Sequence, residues 1–310
     1  MECLKIKALS RLPPAAEPAP EPPVYLGGVP DTVPPCATIR ERVDLTDSLA
    51  LFRFELSGGI PDFEPGQYLT LGVPHPDKPG KVLWRPYSIA SPPERKDLLE
   101  LYIRWARSPV PGKFTSLLWP MRVGDRLDYK DPKGAFTIER NSPDGRPERR
   151  RMVLMGGGTG IAPFIAFVMH LKKTGTDRQI VLCHGASYVH ELGYRDLLQD
   201  LERQSVAAGR KGWDFHYLSS ISRPADPQNA GWTGAQGRVE CLVDGGASGG
   251  MSPAEAKVGE RFTPDNTTFY ICGFDGTVQS VKAFVESRDF RTKKEARPDG
   301  GYDIKFESYG

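Results

Sequence analysis

The stretch Gly156-Gly157-Gly158-Thr159-Gly160-Ile161-Ala162-Pro163 decides how the second half of this 310-residue chain folds. It follows an apolar run, Met152–Met155, and precedes a helical pattern over Gly160–Lys172. A glycine turn between a strand and a helix presents backbone N–H groups at the helix N-terminus, where an anionic ligand can bind. The spacing departs from GxGxxG because Ile161 stands where a glycine would be needed, so a tight turn without a ligand is the alternative.

The same order of strand, turn and helix continues through the rest of the chain. This alternation predicts a doubly wound parallel sheet in an α/β domain over residues 149–310. The segment Asp244–Glu260 begins with glycines and is predicted to be a surface insertion. The expected elements are the strand Gln179–His184, the helix Val189–Arg203, the strand Trp213–Ser219, the strand Thr267–Cys272 and a helix near Thr277–Ser287.

Residues 37–148 have a different pattern, in which short alternating or apolar runs are separated by Gly and Pro. This spacing predicts an antiparallel β-barrel. One short helix is expected after Gly112, over Thr115–Pro120. The expected strands are Ala37–Leu45, Leu49–Leu56, Gln67–Val73, Arg85–Ala90 and Leu98–Ala106.

Residues 1–36 differ in composition from everything that follows. Leu12–Pro23 is rich in Pro, Ala and Glu, which favours extended polyproline II and cannot bury a core, so we expect a disordered tail. The segment lacks the apolar stretch of a secretory signal, and its glutamates argue against an organelle transit peptide. Its prolines leave open a binding role for SH3-like partners.

Charge and cysteine content exclude several classes of protein. The net charge is +2, from 41 basic and 39 acidic residues, and indicates no nucleic-acid partner. The 5 cysteines lack CxxC spacing, which argues against a disulfide framework, a zinc site or an iron–sulfur cluster and fits a cytoplasmic protein. No apolar run is long enough for a membrane span. Two basic runs, Arg146–Arg151 and Arg291–Lys294, are interpreted as solvated faces or as docking sites for an acidic partner.

The run Arg85-Pro86-Tyr87-Ser88-Ile89-Ala90-Ser91 is the strongest chemical signal in the barrel region. Alternation along a strand sends Arg85 and Tyr87 to one face and Ser88 to the other. A flavin dinucleotide takes such a set: a cation for its pyrophosphate, a ring against the isoalloxazine and a hydroxyl at the reactive nitrogen. A plain strand without a ligand is the alternative.

Other segments carry groups that suit a dinucleotide, although each of them alone also fits ordinary packing or a solvated surface. Gly112-Lys113-Phe114-Thr115-Ser116 offers helix-start amides and a cation. Ser222-Arg223 and Gly237-Arg238 follow the third strand of the α/β domain, and arginine suits bidentate contact with a phosphate. Cys272-Gly273 ends a strand at the carboxyl edge, where doubly wound sheets bind ligands.

Taken in this order, the segments RPYS, GKFTS, GGGTGIAP, SR, GR, CG and a terminal Glu-x-Tyr resemble the ferredoxin–NADP⁺ reductase family. The resemblance extends over about Cys36–Gly310. It implies a FAD-binding barrel followed by an α/β domain that binds NADP(H).

The resemblance also implies roles for individual residues. In the catalytic set, Ser88 would reach flavin N5, Cys272 would lie beside the nicotinamide, Glu307 would tune flavin protonation and Tyr309 would cover the isoalloxazine. The residues implied to bind FAD are Arg85, Pro86, Tyr87, Ser88, Tyr102, Ile103, Arg104, Gly112, Lys113, Phe114, Thr115 and Tyr309. Those implied to bind NADP are Thr159, Gly160, Ser222, Arg223, Arg238, Cys272 and Gly273. No metal site is expected.

Two positions depart from the family pattern. The signature CGxPxM is here Cys272-Gly273-Phe274-Asp275-Gly276-Thr277, in which Asp275 is expected to cap the following helix. Ser187 stands where many bacterial members carry an arginine for the 2′-phosphate, which leaves the preference for NADPH over NADH open.

The expected function is that of a ferredoxin–NADP⁺ reductase, which exchanges electrons between NADP(H) and a one-electron carrier through FAD. The carrier, ferredoxin or flavodoxin, is expected to be a separate protein because this chain has no ligand set for an iron–sulfur cluster. One alternative is the NAD(P)H-dependent reductase component of an oxygenase. Another is a non-catalytic adaptor that binds FAD.

Overall fold

The first part of the structure is a barrel of six antiparallel strands. The computed structural model describes residues 35–107, 110–246 and 249–309, so the predicted tail over residues 1–34 lies outside the described residues. A short helix, α1 (Lys113–Leu118), lies between the fifth and sixth strands. The strands are β1 (Cys36–Thr46), β2 (Leu49–Leu56), β3 (Tyr68–Pro74), β4 (Val82–Ser88), β5 (Leu99–Arg104) and β6 (Arg126–Lys133).

The barrel closes because its two outer strands meet. The strand order is β4-β3-β6-β1-β2-β5. A bridge between Ile89 and Leu101, together with a 2.8 Å hydrogen bond from the Ala90 amide to the Glu100 carbonyl, joins the end of β4 to β5. Alternate side chains fill the interior, among them the fully buried Phe52 and Phe54. The predicted antiparallel barrel is therefore confirmed.

The second part is a six-stranded parallel sheet with helices on both faces, which confirms the predicted doubly wound fold. Its strand order is β10-β9-β8-β7-β11-β12, and the order reverses between β7 and β11, where such sheets open a crevice for ligands. None of the helices in the described part of the chain is long and apolar enough to cross a membrane. The strands are β7 (Arg151–Gly157), β8 (Ile180–Ala186), β9 (Phe215–Ile221), β10 (Ala235–Gln236), β11 (Thr267–Gly273) and β12 (Ile304–Ser308). The helices are α2 (Ala162–Thr174), α3 (Arg195–Ala207), α4 (Pro253–Val258) and α5 (Asp275–Glu286).

The elements not expected from the sequence include strand β6, the two-residue strand β10 and helix α4. Strand β6 was missed because five of its eight residues are charged, and only Leu127 and Tyr129 point into the core. Helix α4 lies within the segment predicted to be a surface insertion. Ser252 and Glu255 cap each other's backbone at its start, and the Glu255 side chain is fully buried. The Ser-x-x-Glu pattern was the available signal for this helix.

Two details of the predicted helices were wrong. Helix α3 begins at Arg195 rather than Val189, because residues 189–191 form a 3₁₀ turn and Tyr194 adopts a left-handed conformation with φ of 62°. The N-cap of α5 is Phe274, without a side-chain cap, and Asp275 is the first helical residue. Asp275 accepts a hydrogen bond from the side chain of Gln279 instead of capping the helix.

Polar contacts join the barrel to the α/β domain around the buried side chain of Glu100. Its carboxylate accepts hydrogen bonds from Arg53 at 2.5 Å and from the Tyr194 hydroxyl at 2.7 Å. Tyr102 packs edge-on against Tyr194 at a centroid distance of 5.4 Å, and its hydroxyl donates to the carbonyl of Glu191 at 3.2 Å. These contacts fix β5 against the segment that leads into α3.

The basic runs form ion pairs within the chain. Arg150 pairs with Asp303 at 2.6 Å, and the side chain of Asp303 has no exposed surface. Arg151 is itself buried and pairs with Glu260. These two arginines therefore belong to the interior of the fold and not to a solvated or docking face. Three other arginines of these runs pair with acidic neighbours, as Arg146–Asp144, Arg149–Asp177 and Arg291–Asp289.

Strand β9 has an edge that β10 covers only at Ser220 and Ile221. Further along β9, the side chain of Glu202 accepts a hydrogen bond from the Tyr217 amide at 3.2 Å, and Lys257 donates to the Tyr217 carbonyl at 2.9 Å. Lys257 and Glu202 also pair with each other at 2.7 Å. Two side chains thus satisfy backbone groups that the short strand β10 leaves open.

Candidate functional site

A serine of the barrel meets a glutamate of the last strand at the junction of the two domains. Ser88 ends β4, and its hydroxyl donates to the carboxylate of Glu307 on β12 at 3.3 Å. The parallel register of β11 and β12 places Cys272 opposite Glu307. Three of the four predicted catalytic residues are therefore brought together. With the fourth they make up what we call the catalytic corner: Ser88, Cys272, Glu307 and Tyr309.

Tyr309 covers the catalytic corner. Its amide donates to the carbonyl of Gly273 at 3.1 Å, which fixes the backbone next to the end of β11. The Tyr309 hydroxyl lies beside the Cys272 thiol and the Thr159 hydroxyl, yet it is buried without a hydrogen bond of good geometry to either group. A buried hydroxyl without a partner has a free-energy cost, which favours a ring that is able to move away.

Burial in the catalytic corner shifts the pKa values of its titratable groups. Burial raises the pKa of the Glu307 carboxyl above its usual value, while the hydrogen bond from Ser88 acts in the opposite direction. Burial also raises the pKa of the Cys272 thiol, and the neighbouring Glu307 carboxylate adds to the effect. The thiol is therefore neutral at physiological pH, and Glu307 is poised to hold a proton at higher pH than an exposed carboxyl.

Next to this corner the barrel carries aromatic and basic side chains together with the first turn of α1. We call this group the cradle: Arg85, Tyr87, Lys113 and Phe114. The Tyr87 ring packs against Phe114 at a centroid distance of 5.6 Å, which ties β4 to the start of α1. Arg85 is exposed, and its guanidinium donates only to the carbonyl of its neighbour Trp84 among the described residues. No side chain of the described residues caps α1, so the amides of its first turn remain available to a ligand. Lys113 pairs with the exposed Asp77 at 3.1 Å.

A groove of ≈ 700 Å³ runs along the carboxyl edge of the parallel sheet. Gly157 and Gly158 line one side, and Ser222, Arg223 and Arg238 line the other. Of the residues predicted to bind NADP, Ser222, Arg223 and Arg238 therefore share this groove, whereas Thr159, Gly160, Cys272 and Gly273 are not among the residues that line it. Arg223 and Arg238 pair with no carboxylate in the described part of the chain, so both guanidiniums are free to bind an anion.

Glycine is required in the turn after β7, of which Gly157 and Gly158 line this groove. A Cβ on Gly160 would overlap the carbonyl oxygen of Cys272. Gly158 has φ of +56°, a left-handed conformation that favours glycine. The turn after β7 therefore packs directly on the end of β11, and the glycines serve packing as well as the approach of a ligand.

An aromatic side chain positions Arg223 in the groove. Arg223 donates to the Tyr188 hydroxyl at 2.7 Å, and its guanidinium lies 5.3 Å from the centre of the Tyr188 ring. His190 also stacks on Tyr188, with a distance of 5.3 Å between the two ring centroids. The sequence reasoning missed Tyr188, although it stands directly after Ser187, which was singled out.

The three predicted residues on β5 differ in their positions. The side chains of Tyr102 and Ile103 are buried in packing contacts and present no open surface to a ligand. Arg104 lines the groove of the α/β domain and not the barrel cradle, and it pairs with Glu191 at 2.7 Å. Glu191 was missed, because the segment around it was predicted to be regular helix.

Two protein-family models match the chain in tandem over most of its described length. The model described as an oxidoreductase FAD-binding domain matches residues 36–138, and that of an oxidoreductase NAD-binding domain matches residues 154–283. The fold is also that of a ferredoxin NADP⁺ reductase from Neisseria gonorrhoeae solved with bound FAD and NADP. The chain belongs to the ferredoxin reductase-type family of FAD-dependent oxidoreductases.

The similarities to known reductases are distant but extensive. The Neisseria structure has a TM-score of 0.69 and 22% identity, and the match covers 89% of this chain and 99% of the Neisseria chain. The reductase component of propane 2-monooxygenase from Mycolicibacterium goodii is 27% identical over 263 residues, 84% of this chain and 66% of its own. One component of the Na⁺-translocating NADH-quinone reductase of Klebsiella pneumoniae is 28% identical over 61% of this chain and 42% of its own. The chain therefore spans less than two thirds of the length of these curated relatives.

The residues of the chain fit the two dinucleotides of its family. The available amides at the start of α1 and the free guanidinium of Arg85 suit the pyrophosphate of FAD, and the half-buried Tyr87 offers a ring beside them. The groove with Gly158, Arg223 and Arg238 suits a second, phosphate-bearing ligand. The Ser88–Glu307 contact joins the two domains, since β4 belongs to the barrel and β12 to the parallel sheet.

Proposed function

We propose that this reductase takes a hydride from NADPH and passes the electrons one at a time to a separate carrier protein, ferredoxin or flavodoxin. FAD supplies the conversion between two-electron and one-electron chemistry when it is bound. The observation that carries the proposal is the contact between Ser88 and Glu307 at 3.3 Å, in a buried corner that Tyr309 covers. A packed corner of this kind is unnecessary for an adaptor that only binds a cofactor.

The residues of the catalytic corner would have separate tasks. Ser88 donates a hydrogen bond that can pass from Glu307 to an acceptor atom on the flavin. Glu307 holds a proton more readily than an exposed carboxyl, because burial raises its pKa. Cys272, as a neutral thiol, bounds the place where a nicotinamide ring would lie. Tyr309 excludes water from that place until the nicotinamide displaces it.

We assign the preference for NADPH over NADH to Arg223 and Arg238. Both guanidiniums lie in the groove without a carboxylate partner in the described residues, and Tyr188 holds Arg223 in place. Two cations favour the dianionic 2′-phosphate that only NADPH carries. Ser187 contributes no third cation, so the preference is expected to be moderate and not absolute.

Anaerobic mixing of the purified protein with NADPH tests the proposed reaction. A flavin that is bound and reactive loses its yellow absorption band within the mixing experiment, and a set of purified ferredoxins and flavodoxins then reoxidises it. A colourless protein, or a flavin that NADPH does not reduce, would refute the assignment. Reduction of a dye but of no ferredoxin or flavodoxin would refute the carrier alone.

A second candidate is the reductase component of an oxygenase system. Several relatives are reductase components of propane 2-monooxygenase, at 27–28% identity, which favours this candidate. The two candidates share the flavin chemistry and differ in nucleotide and acceptor. A kcat/KM that is higher for NADH than for NADPH, together with electron transfer to an oxygenase component, would favour the second candidate.

A further inference from the structure

Phe274 occupies a conspicuous position at the end of β11. Its side chain is 50% exposed and lines the groove next to Gly157 and Thr277. Most large apolar side chains of this domain are fully buried, so a half-exposed phenyl ring in a ligand groove requires a reason. The sequence places it directly after Cys272-Gly273 and directly before Asp275, where the departure from the family signature begins.

The aromatic partner of Phe274 is Tyr309. The two rings lie 5.8 Å apart between centroids at an interplanar angle of 65°, an edge-on arrangement that aromatic pairs favour. The Tyr309 hydroxyl forms no hydrogen bond of good geometry with the described residues. The ring of Tyr309 is therefore held in place by packing, and Phe274 is the part of that packing that faces the groove.

The backbone on both sides of this contact is fixed. The Phe274 carbonyl accepts hydrogen bonds from the amides of Thr277 at 2.9 Å and Val278 at 3.0 Å. The Tyr309 amide donates to Gly273 at 3.1 Å. Opening of the catalytic corner thus requires rotation of the two side chains, and it breaks the contact between them.

We propose that Phe274 is a positioning residue that holds Tyr309 over the catalytic corner and so sets the affinity of the reductase for nicotinamide dinucleotides. The inference rests on the proposed function, in which the nicotinamide displaces Tyr309. Removal of the phenyl ring takes a contact away from the covered state alone. The nicotinamide then displaces Tyr309 more easily, binds more tightly and leaves more slowly.

Titration of the FAD-loaded protein with NADP⁺ by calorimetry tests this role directly. For Phe274→Ala we expect a Kd lowered by about two- to tenfold, the range that the loss of one edge-on ring contact supports. Under steady-state conditions with NADPH and ferricyanide, KM and kcat should both fall, because product release slows. Phe274→Tyr keeps the ring and should restore the wild-type Kd.

Phe306→Ala is the matched control. Phe306 is 42% exposed on β12 and packs against Lys282 at 4.9 Å, without a ring contact to Tyr309. Its removal should leave the Kd for NADP⁺ unchanged. If Phe274→Ala is unstable by its thermal midpoint, Phe274→Leu, which lacks the ring edge but keeps an apolar chain, is measured by the same criterion.

The double variant Phe274→Ala/Tyr309→Ser separates this inference from the proposed function. We expect its Kd to equal that of Tyr309→Ser alone, since Phe274 then has no ring left to hold. A tighter Kd in Tyr309→Ser with an unchanged or weaker one in Phe274→Ala overturns the role of Phe274 and leaves the gating by Tyr309 intact. An equal gain from Phe274→Ala with and without Tyr309 also overturns it. An unchanged Kd in Tyr309→Ser overturns both the role of Phe274 and the gating by Tyr309. The proposed reaction itself is tested separately, by reduction of the flavin with NADPH.

Discussion

Cys272 and Glu307 stand opposite each other on the parallel strands β11 and β12, so that a buried thiol and a partly buried carboxyl share one corner. The serine that reaches this carboxyl belongs to the barrel, and the two residues of the pair belong to the other domain. The corner therefore exists only when both domains are folded and in contact. Substitution of one of these residues is therefore expected to change both the stability of the protein and its activity.

Replacement of Glu307 by Gln should stabilise the protein at neutral pH. Burial raises the pKa of the folded-state carboxyl, so the stability of the wild type falls as pH rises from the unfolded value through the raised folded value. Glutamine does not titrate, and the Tm of Glu307→Gln should exceed that of the wild type near pH 8 and approach it near about pH 4. Glu295→Gln, at an exposed position, serves as a control for the removal of one carboxylate charge.

The same variant should lose activity while it gains stability. A glutamine keeps the hydrogen bond from Ser88 but cannot hold or release a proton, so kcat for reduction of a one-electron acceptor should fall. If the Tm of Glu307→Gln and of the wild type depended on pH in the same way, burial of the ionised Glu307 carboxyl would not destabilise the folded protein.

Replacement of Arg223 or Arg238 by Ala should lower kcat/KM for NADPH and leave that for NADH nearly unchanged. Each guanidinium would supply charge-assisted hydrogen bonds to the 2′-phosphate, and the loss of about 1.5–3 kcal/mol corresponds to roughly 10- to 100-fold. Arg203→Ala, at a position 67% exposed on α3 and outside the groove, is the control. Equal losses with both nucleotides would move the two arginines away from the 2′-phosphate.

Gly160→Ala should destabilise the protein by about 1–3 kcal/mol and weaken NADP⁺ binding, because the new Cβ would overlap the carbonyl of Cys272. Gly276→Ala, in the first turn of α5, would place its Cβ more than 4 Å from any described neighbour and should stabilise by about 0.5–1 kcal/mol. Urea denaturation followed by tryptophan fluorescence measures both effects. A tolerated alanine at position 160 would mean that the turn after β7 can shift away from β11.

Asp303→Asn should lower the free energy of unfolding by about 3 kcal/mol, since the carboxylate is fully buried between two guanidiniums. Arg150 lies 2.6 Å and Arg297 2.5 Å from its oxygens. Asp289→Asn is the control, because its side chain is 87% exposed and its ion pair is with Arg291 at the surface. A loss no larger than that of the control would show that the buried cluster contributes little to stability.

The sequence was sufficient to predict the two domains of the fold, the barrel and the α/β sheet, and most residues of the catalytic corner. Alternation along β4 and the glycine turn after β7 are local signals, and local signals survive in any tertiary context. The residues Ser88, Cys272 and Glu307 were then supplied by the family resemblance, and the structure brings them together. Their chemical roles stay predictions until the experiments above are done.

Contacts between distant segments were beyond the reach of the sequence. The sequence pattern over residues 189–203 is that of one helix, but the left-handed conformation of Tyr194 interrupts it. The preceding residue, Gly193, packs under the Tyr102 hydroxyl, which leaves no room for a Cβ there. The pairing of Arg104 with Glu191 depends on that same turn. Strand β6 was hidden because its pattern is mostly charged, and only its neighbours in the barrel identify it as a strand.

At the open edge of β9, the side chains of Glu202 and Lys257 form hydrogen bonds with the amide and the carbonyl of Tyr217. An exposed sheet edge is a template on which a strand of another molecule can add, and side chains that occupy it remove that template. Under the proposed function the protein binds separate partners and has to dissociate from each of them. The paired Lys257 and Glu202 thus block the addition of a strand to this edge of β9 and so disfavour edge-to-edge aggregation.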